Sequence, residues 1–403
     1  MNVRRKRDSR RIGRLGCGAS RLRNGGGRLD VVGTALVLLA VAITPFLAGC
    51  DVSFGGVRVP GDSGVPPAVQ WQGDTLLWGA EIKPEALAMI NRSRGFCHLT
   101  MYELADADIL DALSRAAARG VDVEVVVDAT EPHTLATGLP FLRSHHIKVR
   151  TLVISGGISH IKSLVTEDGS GMHALLGGMN FGEYSWQNHD AAVYMSRAND
   201  SFEGLFEQDY ARADGDDRPA LQFGPPLVYD TGIEPALLAA VSDARSAIDI
   251  EAFAFTSQDL ITALGAAVSR GVVVHVLLDP VQPYNHKTAR RLQAEGVQVR
   301  YYAPYAGEYL HAKIVAIDGG RYVFVGSANF SYHGFSVNHE GDVELTGAYP
   351  FGQSIDADET TQFARGSDVA GGSDGSGDSA YGTGGNGGSN GGGYGSTSGY
   401  GGG

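Results

Sequence analysis

Apolar and polar residues follow the same succession of patterns twice in this chain. In residues 82–128, apolar positions 109, 110, 113 and 117 recur with the spacing of one helix face, and the β-branched run VDVEVVVD follows as a buried strand. Residues 233–279 repeat the pattern without a gap at an offset of 151. Each copy predicts a helix, a strand (97–104 and 248–255), a second helix that ends at a glycine, and another strand. Strands that alternate with helices predict an α/β sandwich in each half.

A histidine and a lysine, two residues apart, occur further along each copy. The run HAKIVAIDGGRYVFVGSANFS begins with His311 and Lys313, and His160 and Lys162 stand 151 residues before them. Alternation along a strand directs the histidine and the lysine of each pair to the same face. One such pair would be typical of a surface strand with two polar residues. A second pair at the same offset favours a functional site instead.

Each pair is followed by a glycine turn that carries an asparagine, and then by a carboxylate. Asn180 in GGMNF corresponds to Asn329 in GSANF, and Asp190 in NHD corresponds to Glu340 in NHE. Two lysines and two amides can bind the nonbridging oxygens of a phosphodiester, while two histidines can serve as nucleophile and acid. If the halves associate face to face about a pseudo-twofold axis, both sets meet in one site. Neither half should then be active alone.

The motif HxKxxxxD with a GSxN or GGxN turn resembles that of the phospholipase D superfamily, over about residues 75–345. The second copy matches the motif fully, whereas the first has Glu167 at the position of Asp318. The resemblance implies a phosphohistidine intermediate at His160 and a general acid, later a base, at His311. It implies no metal or cofactor, and no oligomer is required. The other implied site residues are the phosphate-binding Asn180, Asn329 and Ser327, the histidine-orienting Asp190 and Glu340, and the supporting Glu167 and Asp318.

The same resemblance implies the domain organisation. Two tandem phospholipase D-like α-β-α sandwich domains, 76–215 and 216–350, would be related by a pseudo-twofold axis with the active site at their interface. Residues 366–403 follow them, rich in Gly and Ser with almost no aliphatic residues, and are predicted to be disordered.

The residues before the first copy have the pattern of an export signal. Residues 1–28 hold ten Arg or Lys, and an apolar run extends from Val31 to Cys50. Its ending, LAGC, resembles the bacterial lipobox, which implies lipidation of Cys50 and a lipoprotein on the exported face of a bacterial membrane. An uncleaved N-terminal anchor is the alternative. Residues 51–75 are then a linker, and cleavage would leave 22 basic and 43 acidic residues, a net charge near −21.

The remaining cysteine and histidine residues are predicted to be structural. Cys97 lies in an apolar run, which favours a buried thiol over a nucleophile. The histidine-containing segments 144–146 and 285–287 lack the convergent spacing of a metal site and are predicted to be loop residues. His98 and His275 lie on apolar strands and are predicted to be core or edge residues.

Several functions are compatible with these residues. A phospholipase D or phosphatidyl-transfer enzyme, with membrane phospholipid as substrate and water or an alcohol as acceptor, is favoured by the predicted lipid anchor. A nuclease of the same superfamily is disfavoured by the acidic balance of the mature chain. Cardiolipin synthases share the two-motif layout but usually carry two membrane helices before the first motif, where this chain has one apolar run. An inactive scaffold is disfavoured because the motif is present in both halves.

Overall fold

The computed structural model of the chain describes residues 64–216 and 223–369. The predicted signal sequence, the lipidation site at Cys50 and most of the linker therefore lie outside the described residues. Within the described ranges, no helix combines the length and the apolar character needed to cross a membrane.

In the described residues of the first half there are eight strands and four α-helices. Its strands are β1 Val69–Trp71, β2 Asp74–Trp78, β3 Phe96–Met101, β4 Asp122–Asp128, β5 Lys148–Leu152, β6 Lys162–Glu167, β7 Met172–Gly177 and β8 Ala191–Met195. Its helices are α1 Ile82–Arg92, α2 Ala107–Ala118, α3 Leu139–Ser144 and α4 Asp200–Ala213.

The second half repeats the order that begins at β2, with an added short helix, α8, and an added last strand, β16. Its strands are β9 Leu227–Tyr229, β10 Ala247–Ala252, β11 Val273–Leu278, β12 Gln298–Tyr301, β13 Lys313–Ile317, β14 Tyr322–Gly326, β15 Gly341–Thr346 and β16 Ser367–Asp368. Its helices are α5 Ile233–Asp243, α6 Gln258–Ser269, α7 Pro283–Ala294, α8 Tyr332–Ser336 and α9 Tyr349–Arg365.

Equivalent residues begin and end the equivalent helices of the two halves. The side chains of Asp106 and Ser257, 151 residues apart, accept hydrogen bonds from backbone N–H groups in the first turns of α2 and α6. Both helices end before a glycine with positive φ, Gly120 at 88° and Gly271 at 91°, a conformation that costs glycine little. The repeat in the sequence is therefore a repeat in local structure.

Each half builds one mixed sheet of eight strands. The orders are β1-β2-β8-β7-β6-β3-β4-β5 and β16-β12-β11-β10-β13-β14-β15-β9. In both sheets the strand that begins at a motif lysine lies antiparallel to the first strand of a parallel set, β6 beside β3 and β13 beside β10. This order places both motifs centrally, beside the carboxyl ends of the parallel strands.

The sheets pack on one shared core between two outer cores. Residues of both sheets, among them Trp78, Leu176, Ile314 and Val325, form one central buried cluster. The α1 and α2 side of the first sheet and the α5, α6 and α7 side of the second have clusters of their own. The predicted α/β fold with two tandem sandwiches is confirmed.

Three details of the prediction need correction. The strand expected over 97–104 ends at Met101, because Met101 pairs with Lys162 and the backbone N–H of Leu104 instead donates to the Thr134 hydroxyl. Residues 285–287 belong to α7, where the Asn285 amide bonds to three backbone groups. The segment from 366 is ordered at its start, since Ser367–Asp368 pairs with β12 and the Arg300 guanidinium binds Asp368. Residues beyond 369 lie outside the described part.

Cys97 is fully buried on β3, in agreement with the expectation of a structural thiol. Burial raises the pKa of this thiol to about 12. A thiol with so high a pKa is not a nucleophile near neutral pH.

Candidate active site

The two motif histidines lie just before their strands rather than in them. β6 and β13 begin at Lys162 and Lys313, two residues after each histidine. The residues before the histidines pair instead with the opposite half of the chain: Ser159 forms a bridge with His339, and Leu310 forms one with His189. The NHE segment of the second half therefore holds the backbone before His160, and the NHD segment of the first half holds the backbone before His311.

Backbone hydrogen bonds fix this exchange at the histidines themselves. The His160 N–H donates to the His339 carbonyl at 2.8 Å, and the His311 N–H donates to the His189 carbonyl at 2.8 Å. Each catalytic candidate thus has its main chain held by the half that does not contain it.

Each motif histidine is also paired with a carboxylate from the other half. Nδ1 of His160 lies 2.9 Å from Oε2 and 3.0 Å from Oε1 of Glu340, and Nδ1 of His311 lies 2.7 Å from Oδ2 of Asp190. All four residues are buried. Because Nδ1 of each ring is engaged by a carboxylate, Nε2 is the nitrogen left to react, as in the orientation of a triad histidine.

The motif lysines are buried beside the histidines. Nζ of Lys162 donates to the His160 carbonyl at 2.5 Å, and Nζ of Lys313 donates to the His311 carbonyl and lies 3.2 Å from Nε2 of His311. An aromatic ring covers each lysine: Tyr102 lies 5.3 Å from Lys162 and contacts the His160 ring. In the second half Phe253, 151 residues later, lies 5.1 Å from Lys313 and contacts the His311 ring.

The electrostatic effects link the two halves into one site. Burial, together with Lys162 and Lys313, lowers the pKa of His160 well below 6.5. Burial and Lys313 lower the pKa of His311 to about 4, against the opposing effect of Asp190. Both imidazoles are therefore neutral in the free enzyme at pH 7, and a phosphodiester anion that binds to the lysines favours the protonated form of a neighbouring histidine.

The lysine and carboxylate pKa values also converge near neutral pH. Burial lowers the pKa of Lys162 to about 7 and that of Lys313 to about 8, although Glu340 and Asp190 oppose both shifts. Burial raises the pKa of Glu340 to about 7 in spite of Lys162 and the Ser327 hydroxyl. Groups with pKa values so far from their usual ranges are typical of functional sites.

We predict a bell-shaped pH profile of kcat/KM with its maximum near pH 7. As pH falls below the Glu340 pKa of about 7, the protonated carboxyl no longer orients His160; as pH rises through the lysine pKa values of about 7 and 8, the charge that binds phosphate is lost. The residual activity of Lys162→Arg/Lys313→Arg should keep its alkaline limb to higher pH, because a guanidinium does not titrate there. An alkaline limb at the same pH in this variant would contradict the assignment.

Asn180 and Asn329 lie on the turns that follow β7 and β14. Oδ1 of each is buried without a hydrogen-bond partner among the described residues. Buried amides are normally hydrogen-bonded, so an unpartnered pair at equivalent positions is consistent with groups that bind a ligand. Phosphate binding by the two asparagines stays a prediction.

Ser327 takes a different place from the predicted one. Its hydroxyl donates to Oε2 of Glu340 at 2.6 Å and accepts from the Gly341 N–H at 3.0 Å. The hydroxyl is therefore already used both as a donor and as an acceptor, and the side chain is fully buried. Together with the Asn338 amide, 3.1 Å from Oε1, it fixes Glu340 rather than facing a phosphate.

The two supporting carboxylates make different hydrogen bonds because their side chains differ in length. Asp318 accepts hydrogen bonds from the Arg245 and Ser246 N–H groups, and so fastens β13 to the start of β10. Glu167 is one methylene longer, and its Oε1 accepts instead from the Gly169 N–H. Its Oε2 occupies the space beside Gly95, where a Cβ would approach it to 2.1 Å. The first half has glycine where the second has Ser246, and this substitution accommodates the longer acid.

Two further carboxylates were not predicted as site residues. Asp128, at the end of β4, accepts the Ser159 N–H at 2.7 Å, and Asp279, after β11, accepts the Leu310 N–H at 3.0 Å. Each therefore fixes the residue that precedes a motif histidine. The signal was present in the sequence, because the two aspartates match at the offset of 151 and follow β-branched runs.

The central histidines of NHD and NHE are buried in ion pairs. His339 lies 2.8 Å from Asp209 through Nε2 and 2.8 Å from Asp230 through Nδ1, and His189 contacts Glu251 and Asp358. Burial alone would lower the pKa of His339, but the two aspartates raise it to about 10. A charged imidazole therefore fastens the crossing segment whose carbonyl holds His160.

We predict that His339→Gln lowers the free energy of unfolding by about 3–5 kcal/mol, because it leaves buried carboxylates without their cation. The folded pKa of His339, about 10, lies above the unfolded value of about 6.5, so this stability is fully present below pH 6.5 and is lost as pH rises through 10. Denaturant unfolding at pH 6, 8 and 10 measures it, with the exposed His145→Gln as control. A deficit that does not shrink with rising pH would contradict this account.

Comparison with known proteins agrees with this geometry. The family described as "Cardiolipin synthase, PLD-like domain" matches residues 86–210 and 237–358. The chain therefore belongs to this family, within the phospholipase D superfamily, whose members act on phosphodiesters. No curated protein matches the sequence.

Two solved structures with TM-scores above 0.5 show the same fold at low sequence identity. Phosphatidylserine synthase from Haemophilus influenzae Rd KW20 is 14% identical with a TM-score of 0.58, and the match covers 74% of this chain and 87% of that chain. Polyphosphate kinase from Porphyromonas gingivalis is 20% identical with a TM-score of 0.54 and 72% of this chain covered; this chain spans 47% of the kinase. Nuc, a phospholipase D family member from Salmonella typhimurium, is 22% identical with a TM-score of 0.33, covering 36% of this chain and 97% of Nuc.

Proposed function

We propose that the protein cleaves membrane phospholipids at the phosphodiester bond to the headgroup, through a phosphohistidine intermediate. The observation that carries the proposal is the crossed arrangement of His160 with Glu340 and of His311 with Asp190. Two imidazoles, each oriented by the opposite half and flanked by buried lysines, supply a nucleophile, an acid and the charge that a phosphodiester needs.

In the first step, the Nε2 lone pair of His160 attacks phosphorus. The bond from phosphorus to the headgroup oxygen breaks, and His311, protonated in the substrate complex, transfers its Nε2 proton to that oxygen. In the second step, neutral His311 accepts a proton from water, the water oxygen attacks phosphorus, and the phosphorus–nitrogen bond to His160 breaks. Lys162 and Lys313, with Asn180 and Asn329, would bind the nonbridging oxygens in both steps.

A lipid substrate is favoured over a nucleic acid by charge and by exposed aromatic residues. The mature chain would carry a net charge near −21, which opposes a polyanion. Tyr184 and Tyr332 follow the turns of Asn180 and Asn329, and Tyr309 contacts Phe253 beside His311; these tyrosines are 55%, 69% and 44% exposed. Tyrosine side chains are typical of the boundary between lipid and water.

Phosphatidyl transfer is the second candidate function. The matching family is described as cardiolipin synthase, which favours an alcohol in place of water in the second step. The same site serves both reactions, because His311 can deprotonate either acceptor. Phosphatidylglycerol as donor and acceptor would then give cardiolipin.

The experiment offers the full-length protein in detergent phosphatidylcholine, phosphatidylglycerol, cardiolipin and single-stranded DNA in separate reactions. Release of phosphatidic acid supports hydrolysis, and formation of cardiolipin from phosphatidylglycerol supports transfer. His160→Ala, purified identically, must lack the activity for it to be assigned to this chain. Cleavage of DNA alone would overturn the lipid proposal.

We also propose that the lipid anchor at Cys50 brings this site to the membrane surface. The support is the LAGC sequence before the mature chain. Metabolic labelling with a radioactive fatty acid should mark the wild-type protein and not Cys50→Ser. Equal labelling of both would refute the anchor and leave the catalytic proposal unaffected.

A further inference from the structure

A second cluster of ionisable side chains lies under α9, on the opposite face of the second sheet from α5 and α6. Asp249 on β10 and His275 on β11 are register partners of two parallel strands, so their side chains point to the same face. Their neighbours Ile248, Ile250 and Val276 point the other way, into the outer core. Glu359 of α9 reaches the same place from above the sheet.

The distances within this cluster suit a shared cation. Nδ1 of His275 lies 3.1 Å from Oδ1 of Asp249 and 3.7 Å from Oε2 of Glu359, and one ligand atom from each residue lies within 4.8 Å of the others. If an ion lay about 2.1 Å from the nitrogen and from both oxygens, these two distances would correspond to nitrogen–ion–oxygen angles of about 95° and 124°. These values lie on either side of the tetrahedral angle. A hydrogen bond accounts for the shorter distance but not for the longer one.

The charges of the cluster call for a cation as well. Asp249 and Glu359 are 2% and 1% exposed, and among the described residues the ion pairs of both are made with His275 alone. Oε1 of Glu359 is buried without a hydrogen-bond partner. Buried carboxylates are normally paired with a cation or bound to a metal.

The equivalent residues of the first half have different ion-pair partners. His98 on β3 is the register partner of Glu124 on β4, so the histidine and the acid are exchanged between the strands. There Lys148 lies 2.7 Å from Glu124, and His98 bonds directly to Glu203 of α4 at 2.8 Å. A lysine thus supplies positive charge in the first half, whereas the register partner of His275 on β12 is the uncharged Gln298.

We propose that Asp249, His275 and Glu359 form a binding site for a divalent first-row metal ion of the zinc class, which fastens α9 to the second sheet. One imidazole and two carboxylates are ligands that Zn²⁺ accepts, with water in the remaining position. His275 is 26% exposed, which leaves a route for the ion, and Phe363 of α9 packs against its ring. The role is structural, and the site takes no part in the proposed phosphodiester chemistry.

The test measures Zn²⁺ binding to the full-length protein after dialysis against a chelator. Isothermal titration and elemental analysis should give one bound equivalent more for wild type than for His275→Gln or Glu359→Gln. Zn²⁺ should raise the unfolding temperature of wild type and not of these variants. His145→Gln, which changes an exposed histidine away from this cluster, is the control and should bind as wild type does.

Glu359→Gln guards against a folding artefact, because an amide is close in shape to the protonated carboxyl. This variant should be at least as stable as metal-free wild type, since it removes a buried acid. Equal numbers of bound equivalents in wild type, His275→Gln and Glu359→Gln would overturn the proposal. So would loss of that equivalent in His145→Gln. Neither result depends on phosphodiesterase activity.

Discussion

Alanine at position 160 or at position 311 lowers phosphodiester turnover on the order of 10⁴-fold or more. His160→Ala removes the nucleophile, and His311→Ala removes the group that protonates the leaving oxygen and activates water. Because both act on one phosphorus, the losses do not add, and the double variant should be about as inactive as either single one. Steady-state hydrolysis of a phosphatidylglycerol vesicle and of bis(p-nitrophenyl) phosphate measures the effect.

The control for this prediction is His145→Ala, which changes an exposed histidine next to α3. All three single variants should unfold at temperatures close to wild type, because Glu340 keeps the Ser327 hydroxyl and the Asn338 amide as partners and Asp190 keeps the Ala191 N–H. Turnover close to wild type in either catalytic variant would contradict the proposed mechanism.

Glu340→Gln and Asp190→Asn each lower turnover by about 10³- to 10⁴-fold, but they block different steps. Glu340 lies in the second half, yet its carboxylate orients His160 of the first; Asp190 does the reverse for His311. Loss of Glu340 should therefore slow formation of the phosphohistidine. When the leaving group needs no proton, loss of the Asp190 carboxylate should chiefly slow hydrolysis of the phosphohistidine.

Bis(p-nitrophenyl) phosphate separates the two steps, because p-nitrophenolate leaves without protonation. Rapid-mixing experiments should show a burst of about one p-nitrophenolate per chain for Asp190→Asn, followed by a very slow steady state, and no burst for Glu340→Gln. If each carboxylate served the histidine of its own half, the two variants would exchange these behaviours.

The repeat made much of this site predictable. The offset of 151 residues pairs His160 with His311 and Lys162 with Lys313, and it also pairs the strands and helices that carry them. The helices were predicted well because apolar spacing and the glycine at the end of α2 and of α6 are local signals. The strand prediction overran at 97–104, since the end of β3 is set by the extent of its pairing with β6.

The exchange between halves was not predictable from the same signals. Asp190 and Glu340 match each other in the repeat whichever histidine each one serves, so only the contact of the two sheets decides the pairing. Ser327 was assigned to phosphate because its turn resembles the motif, but its direction depends on Glu340, thirteen residues later. The first half has Gly178 at this position, where a Cβ would lie 2.3 Å from Oδ1 of Asp190.

One measurement tests the central claim that two half-sites make a single active site. The full-length protein is mixed with bis(p-nitrophenyl) phosphate, quenched in alkali to preserve phosphohistidine, and digested for mass spectrometry. We expect at most one modified histidine per chain, located at His160, greatly increased in Asp190→Asn and absent from His160→Ala. Modification of both His160 and His311 in the same chain, or continued modification of His311 when His160 is alanine, would contradict a single shared site.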